Sequence, residues 1–324
     1  MKYFLNNIGF AKILFTISVI GSISYMEFSC SPNKTSSAEN TRSTKKIGVL
    51  MVNHGSRSAT WRQALLDLET NVKDSILSGD IVKGTKTAFM EYNEPSIATR
   101  LKEFDTEGFT DVIIVPVFLT VSPHSFDDIP TIIGQKEDPQ SMETLKMEKI
   151  ERYTPTAKIY LTPLLDFTDI LQKNILKRAQ ELSKEPASEG LVLMAYGDET
   201  YVKEWSDLLN GVGEYVKQNT GIEKHSFGWC GHIAHYNPDS TTVAIQRVLQ
   251  NKKTAIVVPV LVAHDEMFQV KIIGDGIAKI PNSKEKVLYK ADAILPDINV
   301  EHWVIETVQK HVEQIQQQGV VAKQ

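Results

Sequence analysis

The chain is predicted to be an α/β protein made of two repeated units, each a parallel sheet flanked by helices, and three observations carry that expectation. From Lys46 onward, short apolar runs alternate with longer segments of helical spacing. Two of the runs, Val112–Leu119 and Ala255–Val262, are apolar at every position, as suits central parallel strands buried on both faces. Those two runs also match each other, and the match extends in both directions: 21 residues separate Pro95 from Pro116, and 21 separate Pro238 from Pro259. Upstream, Val49-Leu-Met51 resembles Leu191-Val-Leu-Met194, each leading to a glycine (Gly55, Gly197) and then a helix containing Trp61 or Trp205. Downstream, Ile132-Ile-Gly134 resembles Ile272-Ile-Gly274, so one unit of about 140 residues occurs twice.

In chain order the strand candidates are Ile47–Asn53, Thr87–Glu91, Val112–Leu119, Lys158–Leu161, Leu191–Ala195, Ile256–Val262 and Val287–Tyr289. Between them, Trp61–Leu77, Ser96–Phe104, Phe167–Leu182, Trp205–Lys217, Thr242–Leu249 and Val300–Ile315 carry helical spacing. Trp61 and Trp205, at equivalent helix starts, are expected to pack each helix on its sheet. Residues 46–185 and 186–324 are the two expected domains, and two fused halves can enclose a cleft without a partner chain.

Residues 1–29 have the character of an export signal: Lys2 and Lys12 are basic, and the stretch Ile13–Tyr25 is apolar but short for a membrane span of about 20 residues. Cys30 follows at its end and a polar tether, 30–45, comes next, which resembles a bacterial lipoprotein signal and implies lipidation of Cys30 and a membrane tether in the cell envelope. Glu27 and Phe28 depart from the residues usual in that motif; an uncleaved anchor or a plain secretory signal would still export the domain.

Hydrophobic residues at 42% and charged residues at 23% are ordinary for a soluble globular chain. A net charge of -5 supplies no basic footprint for nucleic acid. The two cysteines, Cys30 and Cys230, are too few for a disulfide framework or a thiolate metal site, so metal chemistry would rest on histidine and carboxylates.

Candidate ligands fall at strand ends, where open α/β sheets bind their ligands. His54 closes the first strand next to Gly55, with Ser56 and Arg57 near a helix start suited to binding carboxylates. His124 follows the third strand, and Glu91 ends the second. Two histidines and a carboxylate on three successive strand ends make an open site for a divalent transition metal. No glycine-rich phosphate loop is present in the sequence.

Together, His54-Gly-Ser-Arg57, Phe89-Met-Glu-Tyr-Asn-Glu-Pro-Ser-Ile97 and Pro116-Val-Phe-Leu119 with His124 and Asp128-Ile-Pro130 resemble the sirohydrochlorin chelatases, the ATP-independent enzymes that insert cobalt, iron or nickel into tetrapyrroles. The resemblance implies paired flavodoxin-like domains clasping the macrocycle, histidines that hold the incoming metal and accept pyrrole protons, and no cofactor beyond the substrate metal ion (Co2+, Fe2+ or Ni2+). It points to His54 and His124 as catalytic, with Glu91 as a further metal ligand and Ser56 and Arg57 facing substrate carboxylates. A binding protein on the same scaffold, without turnover, is the alternative.

The second half departs from this pattern. Tyr196 replaces the repeat of His54, and Gly197-Asp198 replaces Gly55-Ser56. With a loop three residues shorter, His264 aligns with His124 and becomes a further metal-ligand candidate, whereas His232 and His235 are read as rim or core histidines and Cys230 as a packing residue.

Overall fold

The computed structural model describes residues 45–119, 122–165 and 169–321; the expected signal and tether, including Cys30, lie outside the described residues apart from Lys45. The first half runs β1 (Ile47–Asn53), α1 (Ala59–Leu77), β2 (Val82–Phe89), α2 (Ile97–Thr106), β3 (Asp111–Pro116), a wide π-helical turn (His124–Asp128) continuing into α3 (Ile129–Ile132), α4 (Pro139–Glu148), β4 (Lys158–Leu161) and α5 (Ile170–Leu182). The second runs β5 (Glu189–Ala195), α6 (Val202–Asn219), β6 (Lys224–Trp229), α7 (Asp239–Leu249), β7 (Thr254–Val260), a second wide turn (Met267–Ile273) continuing into α8 (Gly274–Ala278), α9 (Ser283–Lys286), β8 (Val287–Tyr289) and α10 (Ile298–Val321).

Both sheets are parallel and have the same order, β2-β1-β3-β4 and β6-β5-β7-β8, which is the duplication expected from the sequence. β1 and β5 are central strands and are buried at every residue. Their side chains alternate between faces. Ile47, Val49 and Met51 join one cluster, while Leu50 and Val52 join another with α2 and α3. The edge strand β6 has alternating burial and carries polar residues, so it lacks the apolar run by which the other strands are recognised.

The two halves exchange their last helices. α10 packs on α1 and β3 of the first half, with Lys45 Nζ donating to the Ile315 carbonyl (3.0 Å) and Asn71 Nδ2 to Glu301 Oε1 (2.8 Å). α5 in turn packs on α6 and β7 of the second half. Its buried Arg178 donates to the Pro259 carbonyl (2.8 Å) and pairs with Asp292, and Asn174 donates to the Ile294 carbonyl (3.2 Å). One apolar cluster therefore runs from Val49 and Val115 through α1, α5, α6 and α10 to Leu193 and Val258. Among the described residues, no helix is long and apolar enough to cross a membrane.

Candidate metal centre

The order β2-β1-β3 brings three strand ends side by side, and the residue just beyond β1, the second beyond β2 and the first of the turn after β3 converge. His54, Glu91 and His124 each offer a ligand atom, all within 4.8 Å of one another; among the described residues this is the one such cluster of three. His54 Nε2 lies 3.8 Å from Glu91 Oε2, and the two imidazole rings stand edge to face with centroids 4.9 Å apart. Glu91 is 8% exposed, so its carboxylate sits at the floor, whereas both histidines are about one-third open to solvent at their side chains.

Local backbone chemistry sets each donor. Gly55 has φ +98°, and a Cβ there would lie 2.1 Å from the Glu91 carbonyl oxygen, so only glycine lets the loop after β1 approach the loop after β2 this closely. The Glu91 N–H then donates to the His54 carbonyl (2.8 Å), and the Ser56 N–H donates to Asn93 Oδ1 (3.2 Å). Between them Tyr92 has φ +62°, and the Asn93 N–H donates to the Glu91 carbonyl (2.7 Å), a three-residue turn of the rare positive-φ type. A non-glycine residue held there is strained, and the strain lies beside the carboxylate it aims.

Each histidine has a fixed tautomer. The Gly55 carbonyl can only accept, so His54 Nδ1 carries the proton it donates (3.1 Å), and Nε2 offers its lone pair toward Glu91. His124 Nδ1 lies 2.7 Å from Asp128 Oδ2 and 3.9 Å from Glu91 Oε1; donating its proton to Asp128, it leaves the ring's lone pair on Nε2. The two rings differ electrostatically. Burial lowers the pKa of His54 and outweighs the charge of Glu91, with the nearby His124 lowering it further. At His124 burial works in the same direction, but the Asp128 hydrogen bond and the charges of Glu91 and Asp128 prevail and raise the pKa. Burial would raise the Asp128 carboxyl, yet hydrogen bonds from His124 and Ser141 hold it below the usual carboxylate range.

Other sequence candidates are placed differently. Ser56 Oγ donates to Asp265 Oδ2 (2.9 Å) on the far half and accepts the Ser58 N–H (3.0 Å), so its hydroxyl bridges the two rims. Arg57 is exposed, with its guanidinium over the Tyr92 ring at 5.3 Å, free to meet an anionic group. His264 is not brought into the cluster. The second wide turn opens at Met267, so His264 stays in the preceding loop, whereas His124 is the first residue of its turn. His232 packs against Tyr196 and Tyr236 (5.3 Å each), and His235 is an exposed residue with φ +47°. Cys230 is fully buried, its thiol pushed up to about 12 by burial, as suits a packing residue.

Comparison with known proteins bears on this geometry. The CbiX family model matches residues 48–182. A sirohydrochlorin cobaltochelatase of Methanococcoides burtonii is 35% identical over 100 residues, covering 31% of this chain and 72% of that protein. The chain belongs to the sirohydrochlorin chelatase family. A second such enzyme, of Methanocaldococcus jannaschii, is 34% identical over 90 residues, covering 28% of this chain and 60% of the relative. The chelatase fold extends over both halves. The sirohydrochlorin chelatase SirB from Bacillus subtilis subspecies spizizenii, solved with cobalt, covers 84% of this chain and 98% of its own at 17% identity and a TM-score of 0.56. SirB from Bacillus subtilis with Fe3+ covers the same shares at 18% identity and a TM-score of 0.62.

Proposed function

We propose that the chain inserts a divalent metal, Co2+ or Fe2+, into sirohydrochlorin or a related carboxylate-rich tetrapyrrole. The observation that carries this reading is the convergence of His54, Glu91 and His124 at the carboxyl ends of three adjacent strands. The donor set suits the task. Two imidazoles and one carboxylate bind first-row divalent ions, Ni2+ included, without the tight hold of thiolates, and three protein donors leave positions open. Insertion transfers the metal from these donors to four ring nitrogens and removes two pyrrole protons. Each histidine freed of metal regains a lone pair that accepts one of them. The lowered pKa of His54 keeps it neutral and ready to ligate near neutral pH, and the raised pKa of His124 makes it the stronger base. Arg57 and the rim above Tyr92 meet the carboxylates of the macrocycle.

The reading is tested by following the absorbance of sirohydrochlorin with Co2+ or Fe2+ and the purified protein. An initial rate well above the protein-free rate is expected; a rate equal to it overturns the reading. Export and lipid anchoring through Cys30 belong to the same proposal and rest on the sequence of residues 1–45. Palmitate should label the protein expressed in a bacterial host, and label that survives Cys30→Ala would sink the anchor.

A further inference from the structure

The second half repeats the backbone of the metal centre but none of its donors. The Cys230 N–H donates to the Ala195 carbonyl (2.8 Å) and the Gly231 N–H to the Tyr196 carbonyl (3.1 Å). In the first half, Met90 donates to Asn53 (2.7 Å) and Glu91 to His54 (2.8 Å) in the same pattern. The hydrogen bonds thus make Tyr196 the counterpart of His54 and Gly231 the counterpart of Glu91. Where the first wide turn opens on His124, the second carries Met267 and Phe268.

These exchanges are spatially coupled. A Cβ at Gly231 would lie 2.8 Å from ring atoms of Tyr196, so the aromatic ring fills the space in which a glutamate side chain would begin. Tyr196 stands edge to face with Phe268 (centroids 5.4 Å apart) and with His232 (5.3 Å), and Tyr236 lies 6.4 Å from Phe268 at a shallower 32°. The hydroxyls of Tyr196 and Tyr236 bond to each other (3.0 Å), and Tyr236 also reaches His232 Nδ1 (3.2 Å). Burial, then the bond to Tyr236, raises the pKa of Tyr196, so the ring stays uncharged. Around this group, Tyr236 and Met267 are exposed at 37% and 46%, more apolar surface than a closed core leaves open.

The aromatic group belongs to the rim that meets the metal centre. Ser56 of the first rim bonds to Asp265 of the second, two residues before Met267. Asp198, two residues beyond Tyr196, acts on His124. We propose that Tyr196, Tyr236 and Phe268 form an aromatic floor on which the flat face of the tetrapyrrole rests, while His54, Glu91 and His124 deliver metal from its other face. The inference rests on the chelatase reading above and adds the division of labour between the halves. A planar conjugated ring with polar groups only at its periphery is the ligand such a surface suits. Rings pack on its face, and their hydroxyls are already satisfied by one another.

The test is a pair of titrations on the full-length protein, sirohydrochlorin without metal and Co2+ without tetrapyrrole. Tyr196→Ala and Phe268→Ala should each weaken sirohydrochlorin binding by about tenfold or more. The exposed Tyr236→Ala should act in the same direction, and Tyr196→Phe should retain wild-type affinity. Co2+ affinity should be unchanged in all four variants, which also shows that the first half is folded. Wild-type sirohydrochlorin affinity in all three alanine variants overturns the floor. Loss of Co2+ affinity alongside sirohydrochlorin affinity overturns it as well, because the residues would then support the metal centre. Absence of sirohydrochlorin binding to the wild-type protein overturns the chelatase reading itself.

Discussion

His124→Ala is expected to lower the initial rate of metal insertion by about 10²–10⁴-fold, the range for losing a positioned acid-base group. The change removes the proposed ligand and the proposed base together, and it leaves the Asp128 carboxylate, 3% exposed, without the proton that holds its charge in place. Asp128→Asn separates the two roles. The imidazole keeps its place by donating to the amide oxygen, but the negative charge that raises its pKa is lost. In the metal-free protein, proton NMR of the ring hydrogens should show His124 titrating above the ordinary histidine value of about 6.5 and His54 below it. A metal ion competes with the proton for His124 Nε2, so Co2+ affinity should fall as the pH drops through the raised pKa. In Asp128→Asn that pKa moves down, and the falling limb should move to lower pH with it. An unchanged pH profile in Asp128→Asn would exclude the carboxylate as the group that tunes His124.

Much of this centre is legible in the sequence, because its parts follow buried strands. β1, β3, β5 and β7 are central, and burial on both faces writes them as apolar runs whose ends mark the rim. His54, Glu91 and His124 sit at those ends, and their convergence depends only on β1 lying between β2 and β3. The orienting groups are less visible. Asp128 stands four residues after His124, a spacing that one helical turn brings together, so the pair can be read from the sequence while the direction of its bond cannot. Tyr92 gives no sign of its positive φ, since the conformation follows from Glu91 and Asn93 bonding to the neighbouring loop. The bridge from Ser56 to Asp265 joins residues 209 apart, and no local pattern encodes it. The same limit explains the edge strand β6, where Lys224, His225 and the buried Ser226 interrupt any apolar run, and α4, where Ser141 and Leu145 alone are buried. The expected alignment of His264 with His124 took the second loop to be three residues shorter, whereas both wide turns open eight residues beyond the equivalent prolines Pro116 and Pro259, so Met267 and not His264 stands in the place of His124.

Helix exchange is the other property that amphipathic spacing hides, since a periodic apolar stripe shows that a face is buried and not which sheet covers it. A chain ending at Leu295 is therefore expected to fail as a whole, although it retains every strand of both sheets and all three candidate metal donors. It loses Val300, Trp303, Val304, Val308, Val312 and Ile315, each at most 8% exposed, which cover α1 and β3 of the first half. At about 1.5–3 kcal/mol for each large buried side chain, the lost burial is of order 10 kcal/mol or more. That equals or exceeds the about 5–15 kcal/mol by which whole domains are stable. The sheet left uncovered is the one that aims His54 and His124, so Co2+ binding should vanish with the fold. By the same argument residues 46–185 alone, lacking α10, should be insoluble or unfolded, with α5 exposing the face that carries Leu171, Ile175 and Ala179. Circular dichroism and thermal unfolding of both fragments decide it. A cooperative melt from residues 46–185, with Co2+ affinity intact, would show that the halves are independent domains, and one from the chain ending at Leu295 would show that α10 contributes little to stability.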